Sequence, residues 1–269
     1  MESSSQSMAS SQAFGIQPGQ GFPRWRLDLE HQSLAYSAGF HQSCIGKSHH
    51  SLLRPKQGVL FVETDAGEWC VPQQCGIWIP ADEWFHLRAP LQVQLQELRI
   101  DRRLCLDMPC ISMAVGISTL ADSLLKALKP SIGAYLPNSR DGHMAALLLE
   151  ELHRLVPQPL LLPAAADERV ALACEHIRVS PRHNSTAQGC ADLLGVSERT
   201  LHRLFKRATG LTYPDWRKQA MLHRAIEWRA SGMLFKEIAA KLGYDSPSAF
   251  SHMIRKTLGS APTRLFEGI

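Results

Sequence analysis

The stretch ADLLGVSERTLHRLFK, residues 191–206, decides the fold of the C-terminal part of this 269-residue chain. Ala191 lies four residues before Gly195, and Leu201 lies six residues after it, which is the spacing of two helices that pack across a tight turn. Glycine adopts the positive φ that such a turn requires, and Ser197 can cap the second helix. The stretch therefore predicts a helix-turn-helix unit.

The second helix of this unit has one apolar face and one charged face. Leu201, Leu204 and Phe205 are spaced to turn inward onto the first helix. The side chains that share the outer face are Arg199, His202, Arg203 and Lys206. This face is typical of a recognition helix, because arginine can donate two hydrogen bonds to guanine, and histidine or lysine can reach base edges or phosphates. A solvated charged face without a partner is the alternative interpretation.

The same pattern returns in residues 235–256. Ala239 again lies four residues before a glycine, Gly243, and the inward apolar pair is Phe250 and Ile254. The outward side chains of the second helix are Ser248, Ser251, His252 and Arg255. An amphipathic helix between the two units would fix their separation. Two such units predict a tandem DNA reader more specifically than either unit alone.

Residues from about 169 to 267 resemble the DNA-binding domain of the AraC/XylS family of bacterial transcription regulators. The matching stretches are residues 197–206, 209–210, 216–217, 243–250 and 259–262. The resemblance implies two recognition helices in successive major-groove segments on one face of the DNA, about 34 Å apart.

The resemblance also implies which side chains read bases. In the first unit they are Arg199, His202 and Arg203, and in the second they are Pro247, Ser248, Ser251 and His252. The second unit departs from the family pattern, because Pro247 cannot donate a hydrogen bond and His252 stands where arginine is common. We therefore expect the first unit to supply more of the sequence discrimination.

Charge is unevenly distributed along the chain. Residues 1–168 carry a net charge of −4 and residues 169–269 carry +8. Such asymmetry is expected when one half binds nucleic acid, although a basic surface without a partner is the alternative. The seven scattered cysteines form no C-x-x-C pair. This pattern favours reduced thiols and a cytoplasmic protein over a disulfide framework.

The N-terminal half has the pattern of a β domain. We predict a tail without signal-peptide features over residues 1–20, followed by β structure over 21–110. Strands are expected at 59–62, 69–71, 76–80 and 93–98, and the turns between them indicate an antiparallel sandwich or barrel. No apolar run reaches the length of about 18 residues that a membrane span requires, so no membrane partner is expected.

Two amphipathic helices and a proline-rich linker are predicted over residues 111–165. These helices either pack on the β domain or pair with those of a second copy of the chain, and the pattern does not choose between the two. The all-helical DNA-binding domain then occupies residues 166–269. The expected fold class is thus an N-terminal antiparallel β domain with two following helices, joined to a C-terminal tandem helix-turn-helix.

The β segment resembles the cupin-like sensor domains of the same family, on residues 58–65 and 76–80 with His86 after them. The linker residues 162–163 and 167–169 resemble those of a subgroup that includes regulators of nearby exporter genes. The resemblance implies a small organic effector, and Trp78 and His86 are the candidate pocket residues. Core packing is the alternative role for Trp78.

Many cupins hold a metal through a His-x-His motif and a carboxylate. Here His49 and His50 are adjacent, so a regular strand would point them to opposite faces, and Ile45 and Lys47 stand where the motif would lie. We therefore expect no metal and no cofactor.

Three functions fit these patterns. The leading hypothesis is a transcription regulator, not an enzyme, that binds double-stranded DNA and senses an effector or dimerises through its N-terminal domain. RNA polymerase would be a further partner if the protein is an activator. The alternatives are a metal-dependent cupin enzyme with an accessory helical domain, and a DNA-binding protein with a vestigial first domain.

Overall fold

The computed structural model describes residues 28–44, 48–104, 108–131, 134–179, 181 and 186–258. Its strands, β1 to β11, are Leu29–Tyr36, Phe40–Cys44, His49–Gln57, Leu60–Thr64, Gly67–Val71, Cys75–Ile79, Phe85–Ala89, Val93–Asp101, Met113–Gly116, Val156–Pro157 and Leu161–Pro163. They form two antiparallel sheets. The first sheet has the order β1-β8-β3-β6-β9-β10, and the second sheet has the order β11-β5-β4-β7-β2.

Side-chain alternation in the strands divides the apolar residues between two clusters. In β6, Ile77 and Ile79 lie in the cluster between the two sheets, whereas Trp78 between them points to the outer face of the first sheet. This is the period of two expected of a strand that is buried on both faces. The predicted strands are therefore confirmed, and they form a sandwich.

Helices α1 (Thr119–Ala127) and α2 (Arg140–Leu152) cover the outer face of the first sheet. Leu125 and Leu148 from these helices share an apolar cluster with Trp78 and Leu98 of the sheet. The sequence pattern left open whether these helices pack on the β domain or pair with those of a second copy. In the structure they pack on the β domain of their own chain.

The proline-rich linker is more ordered than its sequence suggests. Residues 156–157 pair with β9 at one edge of the first sheet, and residues 161–163 pair with β5 at one edge of the second sheet. Proline is compatible with edge strands because the missing N–H donor then faces away from the ladder. The linker therefore continues both sheets before the helical domain begins.

The C-terminal part is all-helical. Its helices are α3 (Glu168–Val179), α4 (Ala187–Leu193), α5 (Glu198–Thr209), α6 (Tyr213–Ala230), α7 (Phe235–Lys241) and α8 (Pro247–Leu258). The pairs α4–α5 and α7–α8 are the two predicted helix-turn-helix units, and α6 connects them. The predicted fold class is confirmed. Within the described residues, no helix has both the length and the apolar character that crossing a bilayer requires.

Candidate nucleic-acid interface

The turn of the first unit has the geometry that its sequence predicts. Gly195 has a φ of +63°. The amide of Val196 donates to the carbonyl of Ala191 at 3.0 Å, which closes the turn. Ser197 then caps α5, because its Oγ accepts a hydrogen bond from the amide of Thr200 at 3.3 Å. These local contacts fix the direction in which α5 leaves α4.

Aromatic packing holds α5 against α6. Leu201 and Phe205 are fully buried, as predicted, and Leu204 is half-buried. The Phe205 ring meets the Tyr213 ring edge-on, with centroids 5.3 Å apart and an interplanar angle of 87°. It also meets the Trp216 ring at 6.2 Å. The recognition helix of the first unit is thus locked onto the helix that connects the two units.

The four residues predicted on the outer face of α5 differ in their exposure and in their bonding partners. Arg199 and Arg203 are exposed and form no ion pair with any described residue. His202 is half-buried, and its ring lies edge-on to Tyr213, with centroids 6.4 Å apart. Lys206 donates from Nζ to the carbonyl of Gly210 at 2.7 Å, where it satisfies the end of the helix. The structure therefore leaves the two arginines as the readily available donors of this face.

The second unit has the same turn geometry and the same kind of helix cap as the first. Gly243 has a φ of +84°, and the amide of Tyr244 donates to the carbonyl of Ala239 at 2.9 Å, the counterpart of the bond in the first turn. Ser246 caps α8 by accepting from the amide of Ala249 at 3.2 Å. Phe250 and Ile254 are fully buried, as predicted.

The outer face of α8 carries fewer strong donors than that of α5. Ser248, His252 and Arg255 are exposed, and Ser251 is half-buried. The cations of α8 are Arg255 and Lys256, both in its last turn. The first half of the helix, which a recognition helix points into the groove, offers hydroxyl groups and one imidazole.

A cleft of about 660 Å³ lies between α6 and α8. Its cationic lining residues are Arg217, Lys218 and Lys256, and His252 lies beside them. Lys218 is partly neutralised, because its Nζ lies 3.0 Å from the carboxylate of Asp215. No local sequence pattern indicates this cluster, because it forms only when α6 and α8 pack together.

His50 of the β domain has ordinary partners. Nδ1 of His50 accepts from the amide of Ala81 at 3.1 Å, and its ring stacks on Trp78. Burial lowers the pKa of His50. Among the described residues, no group of three or more His, Cys, Asp or Glu side chains is arranged to hold a metal ion. Ile45 and Lys47 lie outside the described residues.

The two candidate effector residues do not meet. Trp78 is fully buried beneath the helices on the first sheet, where its Nε1 donates to the carbonyl of Pro109 at 3.0 Å. His86 lies on the outer face of the second sheet, with its Nδ1 3.1 Å from Oγ of Ser43. The prediction that Trp78 and His86 line one pocket is therefore wrong. Side-chain alternation along β6 and β7 places the two residues on the outer faces of different sheets, pointing away from each other.

Comparison with known proteins supports the helix-turn-helix geometry. Residues 190–268 match the model of a family described as a helix-turn-helix domain. The chain is 27% identical over 213 residues to the HTH-type transcriptional regulator NimR of Escherichia coli strain K12, a match that covers 79% of this chain and 78% of NimR.

Solved structures of similar proteins were also found. ToxT from Vibrio cholerae aligns with a TM-score of 0.37 and 11% identity, over 90% of this chain and 99% of ToxT. A transcriptional regulator from Chromobacterium violaceum, described as containing an AraC-type DNA-binding domain, aligns with a TM-score of 0.34 and 22% identity, over 37% of this chain and 89% of that one.

Proposed function

Because this chain is a helix-turn-helix regulator of the AraC type, we propose that it recognises a two-part site in double-stranded DNA and that α5 carries most of the sequence discrimination. The observation that carries the proposal is the repeated turn. In both units the amide after the turn glycine donates to the carbonyl five residues earlier in the chain, at 3.0 Å and 2.9 Å. The two units thus present α5 and α8 in the same way, as two readers of one duplex would.

The unequal outer faces support the unequal roles. Arg199 and Arg203 lie one turn apart in the first half of α5 and have no competing ion pair among the described residues. A free guanidinium can donate two hydrogen bonds to guanine. Ser248 and Ser251 of α8 can make single hydrogen bonds to bases or phosphates, which discriminate less.

We propose that the N-terminal domain responds to a small organic effector. Its support is the resemblance of the β segment to sensor domains, since the structure does not bring the two candidate pocket residues together. Pairing with a second copy is the other candidate role, and it is favoured by Leu120 and Leu147, which remain exposed on α1 and α2. A thermal shift of the full chain with candidate organic compounds tests the first role, and sedimentation equilibrium tests the second.

Selection of preferred sites from random duplex DNA tests the DNA-reading proposal. We expect enriched sequences with two conserved blocks, centred about 34 Å apart, and a stronger block opposite the first unit. Binding should weaken steeply with salt, because phosphate contacts release counterions. Enrichment of no motif would overturn sequence-specific reading, and two equally conserved blocks would overturn the unequal roles.

A further inference from the structure

The β domain contacts the helical domain of residues 166–269, which we call the DNA reader, along one face of α6. We call this contact between α6 and residues 160–163 the seam. Trp216 Nε1 donates to the carbonyl of Pro163 at 2.9 Å, and Gln219 Nε2 donates to that of Leu161 at 3.3 Å. His223 Nε2 lies 3.0 Å from the carbonyl of Leu160 and must carry the proton, because a carbonyl only accepts. One face of α6 is thus bonded to the backbone of β11 and the residue before it.

A carboxylate that is only 12% exposed lies at the centre of this seam. Glu68 belongs to β5, directly across from Leu162 of β11. Its carboxylate lies 3.1 Å from Arg88 of the same domain and 3.5 Å from Arg178 of α3. Nδ1 of His223 in α6 is 3.7 Å away. A single side chain of the β domain therefore faces basic groups from two helices of the DNA reader.

The charges around Glu68 outweigh its burial. Burial raises the pKa of this carboxyl, but the neighbouring His223 and the charges of Arg178 and Arg88 lower it to about 2. Glu68 is therefore ionised at neutral pH. If it were removed, Arg88 and Arg178 would lose the carboxylate that lies between them. Arg88 would keep Glu227 as a partner and Arg178 would keep Glu175, but no anion would join the two arginines.

A second ion pair crosses the seam with the opposite polarity. Arg88 of the β domain lies 3.5 Å from Glu227 of α6, which also pairs with Arg224 at 2.8 Å. Negative Glu68 and positive Arg88 on one side thus meet positive Arg178 and negative Glu227 on the other. Complementary charges of this kind fix the register between two surfaces.

The seam reaches both recognition helices through α6. Trp216 packs on Phe205 of α5, and Leu222 shares an apolar cluster with Ile254 of α8. A displacement of α6 relative to the β domain is therefore passed to both readers. Coupling through packed elements of this kind acts in both directions.

We infer that Glu68 is the positioning residue that couples the β domain to the DNA reader, by holding α3 and α6 against the second sheet. Loss of this carboxylate weakens the contact of α3 and α6 with the second sheet without unfolding either domain. The DNA-dependent part of the inference rests on the proposed function, whereas the coupling of the domains does not.

Glu68→Gln tests the inference in the full-length protein, and Glu63→Gln is its matched control. Glu63 lies directly across from Glu68 on β4, is exposed, and has no partner among the described residues. We expect urea to unfold the wild type and Glu63→Gln in one transition and Glu68→Gln in two. We also expect amide exchange in α6 to be at least about tenfold faster in Glu68→Gln than in Glu63→Gln. One transition with unchanged exchange in Glu68→Gln would overturn the inference.

The double variant Glu68→Gln/Arg178→Gln separates coupling from simple damage. It removes the repulsion between Arg178 and Arg88 that remains when Glu68 is lost, so it should regain part of the lost stability while it still unfolds in two transitions. Recovery of a single transition would mean that Glu68 only neutralises Arg178, and the inference would fail.

Hydrogen exchange with and without a selected DNA duplex tests the DNA-dependent part of the inference. DNA should slow exchange in β5 and β11 of the wild type and of Glu63→Gln, but not of Glu68→Gln. Equal protection in all three proteins would overturn the coupling to DNA. If no protein bound any duplex, the proposed function would fail, and the urea arm would still decide the role of Glu68.

Discussion

The two helix-turn-helix units share the same turn and helix cap. They differ in their outer side chains and in the apolar core on which each unit packs. Both turns are closed by the same backbone hydrogen bond, and both second helices begin after a capping serine. The first unit exposes two arginines in the first half of α5 that form no ion pair with any described residue, whereas the second exposes hydroxyl groups in the first half of α8. The turn and cap of each unit are thus set by local backbone contacts, whereas the outer side chains, on which the proposed DNA reading depends, differ independently of them.

The cores of the two units also belong to different parts of the molecule. Phe205 of the first unit lies in a cluster formed largely by α3 to α6. Phe250 of the second unit lies in a cluster that is continuous with the one between the two β sheets. The first unit therefore has its own core, and the second shares one with the β domain.

Deletion of the central ring of each core should give the largest effects. Phe205→Ala and Phe250→Ala should each cost about 3–5 kcal/mol of unfolding free energy, because each leaves a cavity at a fully buried position. Urea unfolding followed by hydrogen exchange measures both the cost and its location. We expect Phe205→Ala to expose mainly α4 and α5, and Phe250→Ala to weaken the β strands as well. The same exchange pattern in both variants would contradict the difference in attachment.

Acidification should weaken the attachment of the reader to the β domain. The pKa of Glu68 is about 2 in the folded chain against an ordinary value of 4.5. Its folded-state pKa is the lower one, so the ionised carboxylate stabilises the fold above about pH 4.5, and this contribution is lost as the pH falls toward 2. The shift corresponds to about 3 kcal/mol.

The difference in unfolding free energy between the wild type and Glu68→Gln measures this contribution. It should be largest above about pH 5 and should shrink as the pH is lowered toward 2. A difference that stays constant from neutral pH to pH 3 would show that the carboxylate acts through its shape and not through its charge.

Substitutions on the two reading faces should differ in size. Arg203→Ala should weaken binding to the selected site by about 1–3 kcal/mol and relax discrimination at one base position, because a guanidinium that binds guanine through two hydrogen bonds is lost. Ser251→Ala should cost about 1 kcal/mol or less, the net value of one neutral hydrogen bond. Arg140→Ala, which removes an exposed arginine of the N-terminal part, controls for net charge. Titrations of a labelled duplex measure the binding of all three variants. If Arg203→Ala weakened binding to selected and to random DNA equally, Arg203 would not read a base.

The parts of this molecule that were predictable from sequence are those set by neighbouring residues. The turn at Gly195, the cap at Ser197 and the inward pair Phe250 and Ile254 depend on spacings within one helical hairpin. The edge strand at residues 161–163 was missed because the prolines there indicate a linker and its pairing partner lies far away in the chain.

The parts that were not predictable depend on distant contacts. The partners of His202 and Lys206 arise from the packing of α6 on α5 and from the geometry of a helix end. The opposite orientations of Trp78 and His86 depend on how two sheets face each other. Glu68 gave no local signal at all, since its partners Arg178 and His223 are brought to it only by docking of the reader on the second sheet.

The helix caps should show the smallest effects and the closest similarity between the two units. Ser197→Ala and Ser246→Ala each remove the side-chain oxygen that accepts the amide of the third following residue, at 3.3 Å and 3.2 Å. Each should therefore cost about 1 kcal/mol of unfolding free energy. Replacement by aspartate should preserve most of the stability, because aspartate caps helices equally well. Thermal unfolding of the four variants compares the two caps directly. Similar losses would show that the two caps are equivalent and that the difference between the units lies outside them, whereas a loss confined to Ser197→Ala would show that the second unit depends on its neighbours even for the start of α8.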